Sequence, residues 1–147
     1  MRLSTKTRYG VRALIELALA RGKGPLQIRR IAENQGISPK YLEHLLSALR
    51  AAGLITAVRG MNGGYELARP ATKIRLIDVY RALEGSVAPV PCTDDPSVCA
   101  KSDGCPTREV WVELRDAIQK TLASWTLADL VERARVRDGR SGRMYFI

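Results

Sequence analysis

A chain of 147 residues, 46% of them hydrophobic, has the mass for one domain, or one small domain with an appendage, around a single core. No run approaches the roughly 18 apolar residues of a membrane span and the N-terminus carries no apolar signal core, so a cytoplasmic protein with no membrane partner is expected. The net charge of +9 is lopsided: residues 1–70 hold 12 Lys and Arg against 4 Asp and Glu, a balance of +8, whereas residues 71–147 hold 12 against 11, a balance of +1. A positive field confined to one half is the footprint of a phosphate-binding surface.

In chain order, Ser4 caps a first helix running to about residue 20, with Tyr9, Val11, Leu14, Ile15 and Leu19 on a broad apolar face. It stops before Gly22-Lys23-Gly24-Pro25. Leu26 and Gln27 read as a short extended piece, residues 28–35 as a second helix, and Gly36 as the turn into a third. Ser38 is the N-cap of that third helix, Pro39 suits its first position and Gly53 supplies a left-handed stop, giving residues 39–52. Leu42, Leu45, Leu46 and Leu49 follow the i, i+3, i+4, i+7 spacing of a buried stripe, which leaves Lys40, Glu43, His44, Ser47 and Arg50 facing outward.

The period then changes. Residues 54–58 and 65–67 are short apolar runs of strand type, and Arg59-Gly60-Met61-Asn62-Gly63-Gly64 between them carries the Asn-Gly and Gly-Gly punctuation of a hairpin. A helix followed by a hairpin with an arginine at its tip is a winged helix-turn-helix signature, so the expected fold is mainly α with a small β wing. Ser38, Lys40, Glu43, His44, Ser47, Arg50 and Arg59 are the candidate contacts to double-stranded DNA. Arg59 has the reach and charge for a minor groove or its flanking phosphates. Glu43 would repel phosphates and is better suited to reading a base, for example by accepting from cytosine N4.

Residues 74–83 read as a short helix with an extended residue or two before it. Residues 85–106 show no helical period, contain Pro89, Pro91, Pro96 and Gly104, and hold all three cysteines as C-x6-C-x5-C at Cys92, Cys99 and Cys105. Three thiols cannot all pair within one chain, and clustered cysteines in a reducing compartment serve metal or redox chemistry more often than structural disulfides. An iron-sulfur cluster, a cluster-free thiol switch and structural zinc are the chemistries such a loop supports. From residue 107 to 125 the helical period returns, with Trp111, Leu114, Ile118, Leu122 and Trp125 in a heptad-like seam. Such a rod, near 28 Å long at 1.5 Å per residue, is too long for one small domain to cover by itself, so the stripe reads either as ordinary core or as a homodimer seam. Thr126 and Asp129 start a last helix ending near residue 134, and residues 135–147 are expected to form a flexible basic tail.

Five ordered motifs carry a resemblance. The opening MRLSTKTRYGVRAL, the helix ISPKYLEHLLSALRAAGLI, the wing VRGMNGGYELARP, the three-cysteine loop and the helix REVWVELRDAI together resemble the IscR/NsrR (Rrf-type) family of bacterial transcription regulators over residues 1 to about 132. The resemblance implies a winged helix-turn-helix DNA-binding domain (residues 1–84), a cluster-binding loop (85–106), a long dimerisation helix with a short last helix (107–134) and a basic tail (135–147). It further implies a homodimer on a palindromic operator, and a [2Fe-2S] or [4Fe-4S] cluster held by Cys92, Cys99, Cys105 and a fourth, non-cysteine ligand.

That fourth ligand is where the chain departs from the family. The [2Fe-2S] branch has a histidine where this chain has Arg108, and the nitric-oxide-sensing [4Fe-4S] branch has an aspartate where it has Arg8. An arginine stays protonated and replaces neither. Asp94, Asp95, Asp103, Glu109, a group from a partner chain, or an exogenous thiol or water remain as fourth ligands. The expected function is a DNA-binding regulator, not an enzyme, sensing redox, iron-sulfur or nitric oxide status. The alternatives are a regulator answering through bare thiols, a small molecule or a protein partner, and, more remotely, a redox enzyme or electron carrier, which would leave the basic helix and wing unexplained.

Overall fold

The computed structural model describes residues 3–141, with side chains as far as residue 139. Helix α1 spans Thr5–Leu19, and its N-terminus is closed by the Ser4 hydroxyl, which accepts from the Lys6 N–H at 3.1 Å. Helix α2 is Ile28–Gln35 and ends on Gly36 at φ +64°, the left-handed conformation that turns the chain into α3, Pro39–Ala51. Ser38 caps α3 by accepting from the Tyr41 N–H at 3.1 Å. Behind it the expected stripe is complete: Leu42, Leu45, Leu46 and Leu49 are at most 1% exposed. Burying each such side chain contributes about 1.5–3 kcal/mol, which holds the helix in place while its other face stays free.

The wing is the antiparallel pair β1, Ile55–Val58, and β2, Gly64–Leu67, in the register Ile55 to Leu67 and Val58 to Gly64. The extended piece expected at Leu26 joins it. Leu26 and Tyr65 exchange backbone hydrogen bonds at 2.9 and 2.8 Å, so the outer edge of β2 is paired to the segment just before α2. A side chain at Gly64 would collide with the Leu26 carbonyl, so this third pairing requires glycine.

Helix α4, Leu76–Glu84, follows a single 3₁₀ turn and two extended residues. The extended pair ties the C-terminal half back to the N-terminal one: Leu127 N–H donates to the Ile74 carbonyl at 2.8 Å, and Leu76 N–H to the Trp125 carbonyl at 2.9 Å. Gly10 of α1 faces Leu83 of α4 so closely that a Cβ there would overlap the leucine.

Two features depart from expectation. The cysteine segment is not without helical turns, since Pro91–Thr93, Pro96–Val98 and Ser102–Gly104 are each one turn of 3₁₀ helix. Each opens near a proline, serine or aspartate that favours tight turns but gives no period to read. The last helix does not stop at residue 134. After α5, Pro106–Ser124, helix α6 runs Leu127–Ser141, so residues 135–141, expected in a flexible tail, are helical, and residues 142–147 lie outside the described residues. Leu127, Val131 and Ala134 of α6 are buried in one core with α1, and a lone Gly139 costs only about 1 kcal/mol against alanine, too little to end a helix anchored in this way.

Candidate nucleic-acid interface and cysteine loop

The leucine stripe turns the opposite face of α3 to solvent. Ser38, Lys40, Glu43, His44, Ser47 and Arg50 are all exposed, and all but Arg50 line one shallow cavity together with Tyr41. Glu43 has no ion pair among the described residues, so neither Lys40 nor Arg50 neutralises it. Arg59 stands exposed where β1 leaves the sheet, and Met61 at the wing tip is 96% exposed. The sequence reading missed Tyr41. Its ring meets Tyr9 edge-on with centroids 6.3 Å apart, and its hydroxyl lies 3.1 Å from Thr5 Oγ1, which fixes the start of α3 against the start of α1. A tyrosine bordering the leucine stripe was the available signal.

The cysteine loop is built from local hydrogen bonds and clasped from α5. Thr93 Oγ1 donates to the Val90 carbonyl at 2.8 Å and Ser102 Oγ to the Pro96 carbonyl at 2.6 Å. Arg108 Nε donates to the Cys92 carbonyl at 3.1 Å, and Arg115, two turns further along α5, donates to the Thr93 carbonyl. Upstream, the Glu84 carboxylate accepts from the hydroxyls of Ser4 and Thr7, joining the end of α4 to the start of α1. Partial burial pushes the Glu84 pKa up, but the Ser4 and Thr7 hydrogen bonds, helped by the Lys6 charge, outweigh it and hold the group below its ordinary value.

All three cysteines are free thiols, Cys99 exposed and Cys92 and Cys105 half-buried. Cys105 occupies the N-cap position of α5. The Thr107 hydroxyl, 3.2 Å from its sulfur, and then the N–H groups of Arg108 and Thr107 draw its pKa below that of an ordinary thiol. As the loop is placed, no three Cys, His, Asp or Glu side chains among the described residues are gathered into a group able to hold a metal ion. The donor set of Cys92, Cys99 and Cys105 has the right chemistry for iron, but it is not a closed ligand cage. Arg108 is committed to a backbone carbonyl.

Helix α5 has 19 residues and none of them is buried. The expected seam divides into two halves. Trp111 and Leu114 are each 37% exposed and the neighbouring Val110 55%, whereas Ile118, Leu122 and Trp125 are half-buried against their own chain, Trp125 beneath the Arg133 guanidinium at 4.6 Å.

An exposed polar helix face backed by a leucine stripe, with a wing beside it, is the geometry of a groove-reading module, and comparison with known proteins agrees. The family model described as "Rrf2: Iron-dependent Transcriptional regulator" matches residues 3–133. The chain belongs to the Rrf2 family. It is 44% identical over 134 residues to "Protein rrf2" of Nitratidesulfovibrio vulgaris, a match covering 91% of this chain and 89% of that protein. Among solved structures, that of "CymR (YrzC) the Global Cysteine Regulator of B. subtilis" has a TM-score of 0.75 at 40% identity, covering 90% of this chain and 98% of that one. "T. potens IscR" has a TM-score of 0.74 at 39% identity, covering 99% and 93%. The protein is therefore a winged-helix DNA-binding transcriptional regulator of the Rrf2 family and not an enzyme. No described helix is long and apolar enough to cross a membrane.

Proposed function

We propose that this Rrf2-family regulator reads a palindromic operator as a homodimer in the cytoplasm, with residues 85–106 as its signal receptor. The observation that carries the reading is the pairing of an unobstructed α3 face with a 19-residue helix, α5, none of whose residues is fully buried in its own chain. Lys40, Ser47 and Arg50 supply groove and phosphate contacts, Ser38 and His44 further hydrogen bonds, Glu43 base discrimination, and Arg59 a minor-groove or phosphate contact from the wing. Selection of operators from a random duplex library tests this. An inverted repeat with half-sites about 34 Å apart, or a multiple of it, is expected. Enrichment of a single half-site, or of no sequence, contradicts it.

For the receptor we propose an iron-sulfur cluster ligated by Cys92, Cys99 and Cys105, in line with the iron named in the family description and with the preference of iron for soft, anionic sulfur. Such a cluster, when bound, would supply a redox- and nitric-oxide-sensitive centre. Ligation requires the loop to draw the exposed Cys99 toward the half-buried Cys92 and Cys105. A second reading, signalling by the bare thiols, draws support from the Thr107 and Arg108 hydrogen bonds that draw the Cys105 thiol below its ordinary pKa and so favour the reactive thiolate. Iron and sulfide content of protein isolated without oxygen distinguishes the two.

A further inference from the structure

A cavity of about 350 Å³ opens at the C-terminal end of α1, where that helix, the turn after it, α2 and α6 meet. Its volume falls at the small end of the range of about 300–1,000 Å³ typical of small-molecule sites. Four charged side chains line it, two of each sign: Glu16 of α1, Asp138 of α6, Lys23 of the turn and Arg30 of α2. None of the four has an ion pair among the described residues, although both signs share one small space. The Glu16 carboxylate is only 8% exposed and accepts from the Asn34 amide at 2.9 Å and from the Gln35 amide. A carboxylate held by two neutral amides keeps lone pairs for a further donor, and a buried one without a countercharge gains most from a cation.

A simple anion or cation in this cavity would meet two charges of its own sign, whereas a zwitterion meets a partner at each end. We infer that the cavity binds a free α-amino acid with an aliphatic side chain. Its ammonium group donates to Glu16 and Asp138, its carboxylate accepts from Arg30 and Lys23, and its side chain lies against Leu19 and Leu26, the apolar part of the lining. The position of the cavity ties its occupancy to DNA reading. Leu26 exchanges backbone hydrogen bonds with Tyr65 of the wing at 2.9 and 2.8 Å, and Arg30 and Asn34 belong to α2, which Gly36 turns into α3. Asp138 is supplied by the part of α6 beyond residue 134, so that extension closes one side of the site. An occupant bridges α1 and α6 to the two segments that set the recognition helix and the wing. Ligand and operator then change each other's affinity by the same factor. The site depends on neither the cluster nor the homodimer.

Titration calorimetry on the DNA-free protein tests the inference, with L-leucine, L-valine and L-methionine as probes and two analogues of leucine as controls: isocaproate, which lacks the amine, and isoamylamine, which lacks the carboxylate. At least one of the amino acids should bind, and leucine at least tenfold more tightly than either analogue. Arg30→Ala and Asp138→Asn should each weaken that binding tenfold or more; Arg30 is exposed and Asp138 half-buried, so both variants should keep the circular dichroism and melting temperature of wild type. Saturation with the selected operator duplex should change the amino-acid affinity fivefold or more. No binding of any of the three amino acids at millimolar concentration, an analogue that binds as well as leucine, or binding untouched by both variants overturns the site. An affinity that is the same with and without operator overturns its coupling to DNA. Because the site is measured without DNA, its failure leaves the operator reading standing.

Discussion

Arg108 Nε donates to the backbone carbonyl of Cys92 at 3.1 Å, so the first turn of α5 grips the cysteine loop sixteen residues upstream of itself. This is the position where the resembling [2Fe-2S] regulators carry a histidine ligand. Here the side chain orders the loop directly, and with Arg115 on the Thr93 carbonyl it links the loop to α5 at two points. Arg108→Ala should loosen the first 3₁₀ turn. A hydrogen bond from a half-exposed cation contributes about 1 kcal/mol, so amide exchange at residues 93–95 should quicken about fivefold. Cys92 should also alkylate faster. Unchanged exchange and alkylation would show that the clasp holds nothing.

Arg59→Ala should weaken operator binding by about 1 kcal/mol or more without altering thermal unfolding, because the side chain is exposed and supports no other part of the fold. Affinity equal to wild type at physiological salt would remove Arg59 from the interface.

Glu43→Ala should broaden base preference while keeping or raising affinity for unrelated DNA. An unpaired carboxylate on a helix facing phosphates costs binding wherever it finds no donor on a base. Identical preferences across an operator library would reduce Glu43 to a surface charge.

Glu84 makes stability depend on pH with a definite sign. Its folded pKa is held below the ordinary carboxylate value, so the clasp to Ser4 and Thr7 is fully present above that ordinary value and fades as pH falls through the folded one. Glu84→Gln should melt below wild type at neutral pH, with the difference closing on acidification through the carboxylate range. A difference independent of pH would mean that the carboxylate charge is irrelevant to the clasp.

Much of this molecule was readable from spacing alone. The cap at Ser38, the four leucines and the Gly-rich hairpin are local signals, and α3 and the wing appear within a residue or so of their expected bounds. The extended residues before α4 were also foreseen, although their pairing with Trp125 and Leu127 was not. What escaped depends on partners distant in the chain. The Leu26 pairing with Tyr65, the Glu84 clasp on α1 and the Arg108 grip on Cys92 are contacts of side chains or backbone with no period to announce them. The extension of α6 escaped for a related reason: a charged, glycine-containing stretch reads as a tail unless the apolar residues before it are seen to be anchored on α1.

The content of iron and acid-labile sulfide in protein purified without oxygen tests the central claim most directly, when wild type is compared with Cys92→Ala, Cys99→Ala and Cys105→Ala. Wild type should carry both, and each variant should lose most of its iron while keeping its fold, since the main hydrophobic cluster is built from residues outside the loop. Wild-type protein with neither iron nor sulfide, and with no absorbance dependent on the three cysteines after reconstitution, would contradict the cluster and leave the loop to signal through its thiols.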